Sequence, residues 1–120
     1  MTDPHRAARP GLLVGHRAVD GIRVLTLSGE IDHGVTDIFS KALLSFDDAT
    51  PPRTVVDLSG VTFMDSSGIN ALITAHQAMS NAQGWLRIAG AQPSVLRVLE
   101  LVGLDDVIDC HPTVEQALTG

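Results

Sequence analysis

Thr54-Val55-Val56-Asp57-Leu58-Ser59-Gly60-Val61-Thr62-Phe63-Met64-Asp65-Ser66-Ser67-Gly68-Ile69 holds the decisive change of period in this chain. Apart from Asp57, its first five residues are β-branched or apolar, as in a strand covered on both faces. After Gly68, the residues Ile69, Leu72, Ile73, His76 and Met79 recur at helical spacing. A buried strand therefore gives way to a helix at Asp65-Ser66-Ser67. The N-terminus of a helix carries unpaired N–H groups and the positive end of the helix dipole, which suits an oxyanion. A serine placed there can be a cap, a nucleophile or a phosphoacceptor.

Upstream, Leu12 to Val19 and Ile22 to Leu27 read as two strands joined at Asp20-Gly21, a strong hairpin dipeptide. Val35, Ile38, Phe39, Ala42, Leu43 and Phe46 then mark one face of an amphipathic helix. Pro51-Pro52 closes the loop behind it, and the third strand covers about 54–58. Downstream, the helix after the serines is predicted to end at Gly84, and Trp85 to Ala89 reads as a fourth strand. Pro93 opens a further helix carrying Val95, Leu96, Leu99 and Val102, with Gly103 at its end and Leu104 making the apolar contact of the cap. Val107 to Cys110 forms a short last strand, and Thr113 with Gln116 has capping-box spacing for a final helix to about Leu118.

After the opening hairpin, strands and helices alternate, which implies parallel strands with right-handed crossovers. Laid down in sequential order, such strands put every crossover helix on one face. The expected fold is a two-layer α/β domain: a small, mostly parallel sheet with an N-terminal hairpin and helices on one face. It spans residues 12–120, and residues 1–11, rich in Pro and Arg, read as a disordered N-terminal arm.

Composition narrows the function. The chain has 120 residues, a formal net charge of −6 and only 3% aromatics, with no Tyr, so nucleic acid and anionic membranes are poor partners. The single Cys110 rules out an intrachain disulfide and a thiolate metal cluster, and no two histidines stand at i, i+4. The start of the chain is not a secretory signal and no apolar run approaches a membrane span, so a cytoplasmic protein is expected. No phosphate-cradling glycine loop is present, and no cofactor or metal is expected.

In a parallel sheet the carboxyl ends of neighbouring strands share one edge. Leu27-Ser28-Gly29-Glu30-Ile31-Asp32 closes the second strand and Leu58-Ser59-Gly60 the third, so Asp32, Asp65, Ser66 and Ser67 are expected to cluster there. A capping role for Asp65 or Ser66 is the plain alternative. Catalysis is the weakest, because Gly-x-Ser-x-Gly is absent and neither His33 nor His76 is placed as an oriented base. A phosphoacceptor fits best. Phosphate at a helix start is tolerated by the fold and adds about −1.5 to −2 charges to the surface.

Leu27-Ser-Gly-Glu-Ile-Asp32, Val55-Val-Asp-Leu-Ser59, Val61-Thr-Phe-Met-Asp-Ser-Ser-Gly68 and Leu101-Val-Gly-Leu104, in that order, resemble the STAS-domain anti-anti-sigma factors of bacteria over about Leu12 to Leu118. The helix after the motif reads Ile69-Asn70-Ala71-Leu72, where the family often has a second glycine. The resemblance implies a binding module and not an enzyme. Its dephosphorylated form would sequester an anti-sigma factor that is also a serine kinase, freeing a sigma factor. The kinase would phosphorylate Ser67 and end the complex, and a PP2C-type phosphatase would reverse the modification. Asp32, Asp65, Ser66 and Gly68 match partner-binding positions, Gly68 by allowing close backbone approach by the partner, though its plain alternative is simply to relax the turn. The resemblance favours a monomer. The alternatives are a STAS scaffold subunit of a sensory signalling complex and a small nucleotide-binding protein.

Overall fold

The computed structural model describes residues 11–46 and 50–119; of the expected arm, residues 1–10 lie outside them. Five strands form one sheet in the order β1-β2-β3-β4-β5: β1 (Leu12–Val19), β2 (Ile22–Ile31), β3 (Arg53–Met64), β4 (Trp85–Ala89) and β5 (Cys110–His111). The β1–β2 pair is antiparallel and the other three pairs are parallel. Among the described residues, four α-helices and one short 3-10 helix (Leu104–Asp106) accompany them: α1 (Thr36–Leu44), α2 (Ser66–Asn81), α3 (Pro93–Leu101) and α4 (Val114–Thr119). The hairpin turns at Asp20 and Gly21, both at positive φ (53° and 81°), the conformation that twists with the strands it joins.

Alternation along the strands separates two cores. Leu25, Leu27, Val56, Leu58, Leu86 and Ile88 point to the face covered by α1, α2 and α3, where Phe39, Leu43, Leu72, Met79 and Leu99 are fully buried. The expectation of helices on one face holds for these three crossovers. The C-terminal α4 is not a crossover, and it packs Ala117 against Ile22, Val24, Val55 and Ala89 on the opposite face. Arg87 ties it down by donating to the Ala117 carbonyl at 2.8 Å while its guanidinium stacks 3.8 Å from the Trp85 ring centre.

Several boundaries differ from the expectation, each for a local reason. β3 does not stop at Leu58, because Ser59-Gly60 is an irregularity within the strand and not its end. α1 starts at Thr36, with Val35 as its capping residue. Ile38, expected in the core, is 40% exposed, and Phe46 packs against the core from beyond the helix. α2 ends before Gly84. The left-handed residue of its terminus is Gln83 (φ 68°), and the Gly84 N–H closes the cap on the Met79 carbonyl at 2.7 Å. Gly84 is required for a different reason, since a Cβ there would lie 1.8 Å from the Pro52 carbonyl oxygen. Val102, expected on the buried stripe of α3, caps that helix and is 56% exposed, whereas Leu104 beyond Gly103 is buried as expected. The last strand is Cys110–His111, and Val107 lies in the turn before it. Thr113 caps α4 by accepting the Gln116 N–H at 3.2 Å.

Among the described residues, no helix is long and apolar enough to cross a membrane.

Candidate functional site

Ile31 and Met64 lie in register across β2 and β3, so Asp32 and Asp65 leave the sheet side by side. Two register shifts produce this alignment, one between Thr26 and Ser28 and one between Gly29 and Glu30; at each, β3 contributes one residue more than β2. A regular ladder continued from Thr26↔Asp57 would instead set Ile31 against Thr62. The first shift needs Gly60, where a Cβ would meet the Ser28 hydroxyl at 2.6 Å. The Leu-Ser-Gly segments of the two strands thus set the register that builds the corner.

Asp65 joins the pieces. Its N–H donates to the Ile31 carbonyl at 3.1 Å, tying the end of β3 to the end of β2. It is also the N-cap of α2: Oδ1 accepts the N–H of Ser67 at 2.9 Å and of Gly68 at 3.3 Å. The same oxygen accepts the Ser67 hydroxyl at 2.5 Å, a length typical of a charge-assisted bond to a carboxylate. The Ser67 hydroxyl is the main reason the Asp65 carboxyl sits below its usual range. Partial burial opposes this, and the N–H groups of Gly68, Ser67 and His33 add to it. Asp65 is therefore ionised at neutral pH, and the Ser67 proton points at it.

Asp32 occupies the neighbouring turn, but its carboxylate is engaged locally, with Oδ1 accepting the Gly34 N–H at 2.9 Å. The Asp32 carbonyl accepts the Val35 N–H at 3.1 Å and the Thr36 hydroxyl at 2.9 Å. Thr36 Oγ1 also lies 2.9 Å from Ser67 Oγ. Asp32 thus reaches Ser67 through Thr36 and not through its own carboxylate. The sequence reading does not single out Thr36 of α1, because the partner that gives it a role, Ser67, is distant in the chain. A hydroxyl residue four positions after Asp32, at the start of that helix, was the available signal.

The two serines differ. Ser66, the first helical residue, is exposed, and no described residue bonds its hydroxyl; Ser67, the second, is half-buried with its hydroxyl held from two sides. Gly68 is buried, and a Cβ there would meet Ile31 Cγ2 and Met64 Cγ at 2.8 Å. The close approach this glycine permits is between α2 and the ends of its own β2 and β3.

Other reactive groups are poorly placed for chemistry. His33 is exposed, and His76 is half-buried with Nδ1 unpartnered. Burial, with Asp105, Asp109 and Glu100 nearby, pushes the Cys110 thiol up to about 11, so little thiolate exists at neutral pH. Among the described residues, no cluster of three or more His, Cys, Asp or Glu could hold a metal.

The family model described as STAS domain matches residues 16–117. An anti-sigma F factor antagonist of Paenibacillus polymyxa is 28% identical over 103 residues, covering 82% of this chain and 86% of the relative. An anti-sigma-F factor antagonist of Mycobacterium tuberculosis is 29% identical over 101 residues, covering 84% and 82%. The crystal structure of an anti-sigma factor antagonist from Mycobacterium paratuberculosis superimposes with a TM-score of 0.81 at 30% identity, over 90% of this chain and 92% of that one.

Proposed function

The chain belongs to the STAS domain family, and we propose that it is an anti-sigma factor antagonist whose affinity for its partner is set by phosphorylation of Ser67. Its similarity over most of its length to proteins bearing that name supports the role. The unmodified protein sequesters an anti-sigma factor that is also a serine kinase, which frees a sigma factor in the cytoplasm. The kinase then transfers phosphate from ATP to Ser67 and releases its product. A PP2C-type phosphatase restores the binding form. The protein acts by binding and not by turnover, and Asp32, Asp65 and Ser66 face the partner. Gly68 contributes from beneath, by letting α2 seat close to the strand ends.

The observation that carries this reading is the state of the Ser67 hydroxyl: fixed at a helix N-terminus and donating its hydrogen bond to an ionised carboxylate oxygen 2.5 Å away. Esterification removes the hydroxyl proton, so the bond to Asp65 is lost. A group of about −1.5 to −2 charges then stands beside a carboxylate on the surface the partner must cover. The helix dipole offsets part of the repulsion within the fold. The change is therefore read in binding more than in stability.

The test is capture of the anti-sigma kinase from the native host by two immobilised variants. Ser67→Ala retains the kinase and Ser67→Asp loses it. Equal retention by both would overturn the proposal.

A further inference from the structure

Accessibility alone points to the wrong serine. Ser66 is exposed and unbonded, whereas Ser67 is half-buried, yet the proposed switch uses Ser67. Something other than exposure must distinguish two adjacent hydroxyls on the same helix turn.

We infer that Thr36 is the specificity-determining residue: its hydroxyl, from the start of α1, orients Ser67 Oγ for phosphoryl transfer and so selects Ser67 over Ser66. This rests on the antagonist reading above. A serine oxygen has one proton and two lone pairs. At Ser67 the proton goes to Asp65 Oδ1 at 2.5 Å, and one lone pair faces Thr36 Oγ1 at 2.9 Å. Thr36 has a single proton for two acceptors, Ser67 Oγ and the Asp32 carbonyl, both at 2.9 Å, so it bridges the corner of β2 to the start of α2. One lone pair of Ser67 remains, and its direction is fixed by the other two contacts. Phosphoryl transfer depends mainly on positioning the attacking oxygen in line with the leaving group. The Ser66 hydroxyl has no such constraint and rotates freely.

The step balances with the nucleoside triphosphate that the kinase brings. The free lone pair of Ser67 Oγ forms the bond to the γ-phosphorus as the bond to the β,γ-bridging oxygen breaks. The hydroxyl proton passes to Asp65 and then to solvent, and nucleoside diphosphate leaves. Thr36 takes no proton in this sequence and acts only as a positioning residue.

Thr36→Val keeps the β-branched shape and removes the hydroxyl, and the Asp32 carbonyl keeps its bond from the Val35 N–H. Thr36→Ser restores the hydroxyl. Wild-type protein and both variants are expressed in the native host during resting growth, and phosphate is assigned to Ser66 or Ser67 by peptide mapping. The expected result for Thr36→Val is a fall of about tenfold in the Ser67-to-Ser66 ratio, on the order of one lost hydrogen bond, with recovery in Thr36→Ser. Thermal unfolding of the purified Thr36→Val and Thr36→Ser proteins first establishes that both are folded, so the ratio reads the orientation of Ser67 and not a general loss of structure. An unchanged ratio in Thr36→Val, with wild-type protein phosphorylated on Ser67, overturns the inference and leaves the switch intact. Wild-type phosphate on Ser66 overturns it as well. Wild-type protein free of phosphate on both serines overturns the antagonist switch and this inference together.

Discussion

Asp65 Oδ1 accepts the Ser67 hydroxyl at 2.5 Å while the same oxygen caps α2 through the Ser67 and Gly68 N–H groups. The capping and acceptor readings of this turn are therefore compatible. Asp65 is the cap, and the cap orients the serine.

That arrangement sets a pH dependence. The folded-state carboxyl of Asp65 is held below its usual value, so its contribution is complete above the unfolded value near 4 and is lost as pH falls through the folded value. Asp65→Asn keeps an acceptor oxygen but does not titrate. The stability difference between wild type and this variant should shrink from pH 7 to pH 3, measured by urea denaturation. A constant difference would contradict the bond. Asp65→Ala at pH 7 should cost about 1–2 kcal/mol, the upper range for a lost N-cap.

Arg23 governs the other end of α1. Its guanidinium donates to the carbonyls of Ala42 at 2.8 Å, Leu43 at 2.6 Å and Ser45 at 2.9 Å, and reaches the hydroxyl of the buried Thr54 at 3.2 Å. This fork caps a helix C-terminus with a positive charge. Lysine cannot reproduce the planar geometry, so Arg23→Lys should cost about 1–2 kcal/mol and Arg23→Ala about 2–3 kcal/mol. Thermal unfolding checks this, and hydrogen exchange should show the loosening concentrated in the last turn of α1. Wild-type stability in Arg23→Ala would refute the assignment.

Gln83 and Gly84 divide two roles that one glycine often fills. Gln83 adopts φ 68° with an ordinary side chain, so Gln83→Gly should stabilise by about 0.5–1 kcal/mol. Gly84→Ala, forced against the Pro52 carbonyl oxygen, should destabilise by about 2 kcal/mol or more. Chemical denaturation of the two variants reads both effects. The opposite order of stabilities would show that Gly84 and not Gln83 supplies the left-handed position.

Much of this was legible in the sequence because the signals were periodic or local. The i, i+3, i+4 stripe of α2, the Asp20-Gly21 turn and Pro93 at the start of α3 each appear where expected. So does the meeting of the Asp32 and Asp65 segments at one sheet edge. What was not legible depends on partners distant in sequence. Ser59-Gly60 looks like a strand end unless Ser28 is known to lie against it. Thr36 and Arg23 look like ordinary polar positions until α1 is folded back over β2 and beside α2. Gly84 reads as a helix end and Gly68 as part of the turn, but the Pro52 carbonyl and the Ile31 and Met64 side chains that require them to be glycine are distant or unmarked in the sequence. The phosphoacceptor reading comes from the turn itself and the choice of Ser67 from the family resemblance, and the geometry adds the contacts through which Ser67 would exercise the switch.

The most direct test of the central claim is intact-mass measurement with peptide mapping of the protein taken from its native host, in resting and in stressed growth. The account predicts a phosphate on Ser67 in a substantial fraction of resting molecules, falling when the response is triggered. Protein that carries no phosphate in either condition would contradict the switch and leave Ser67 as part of a helix cap.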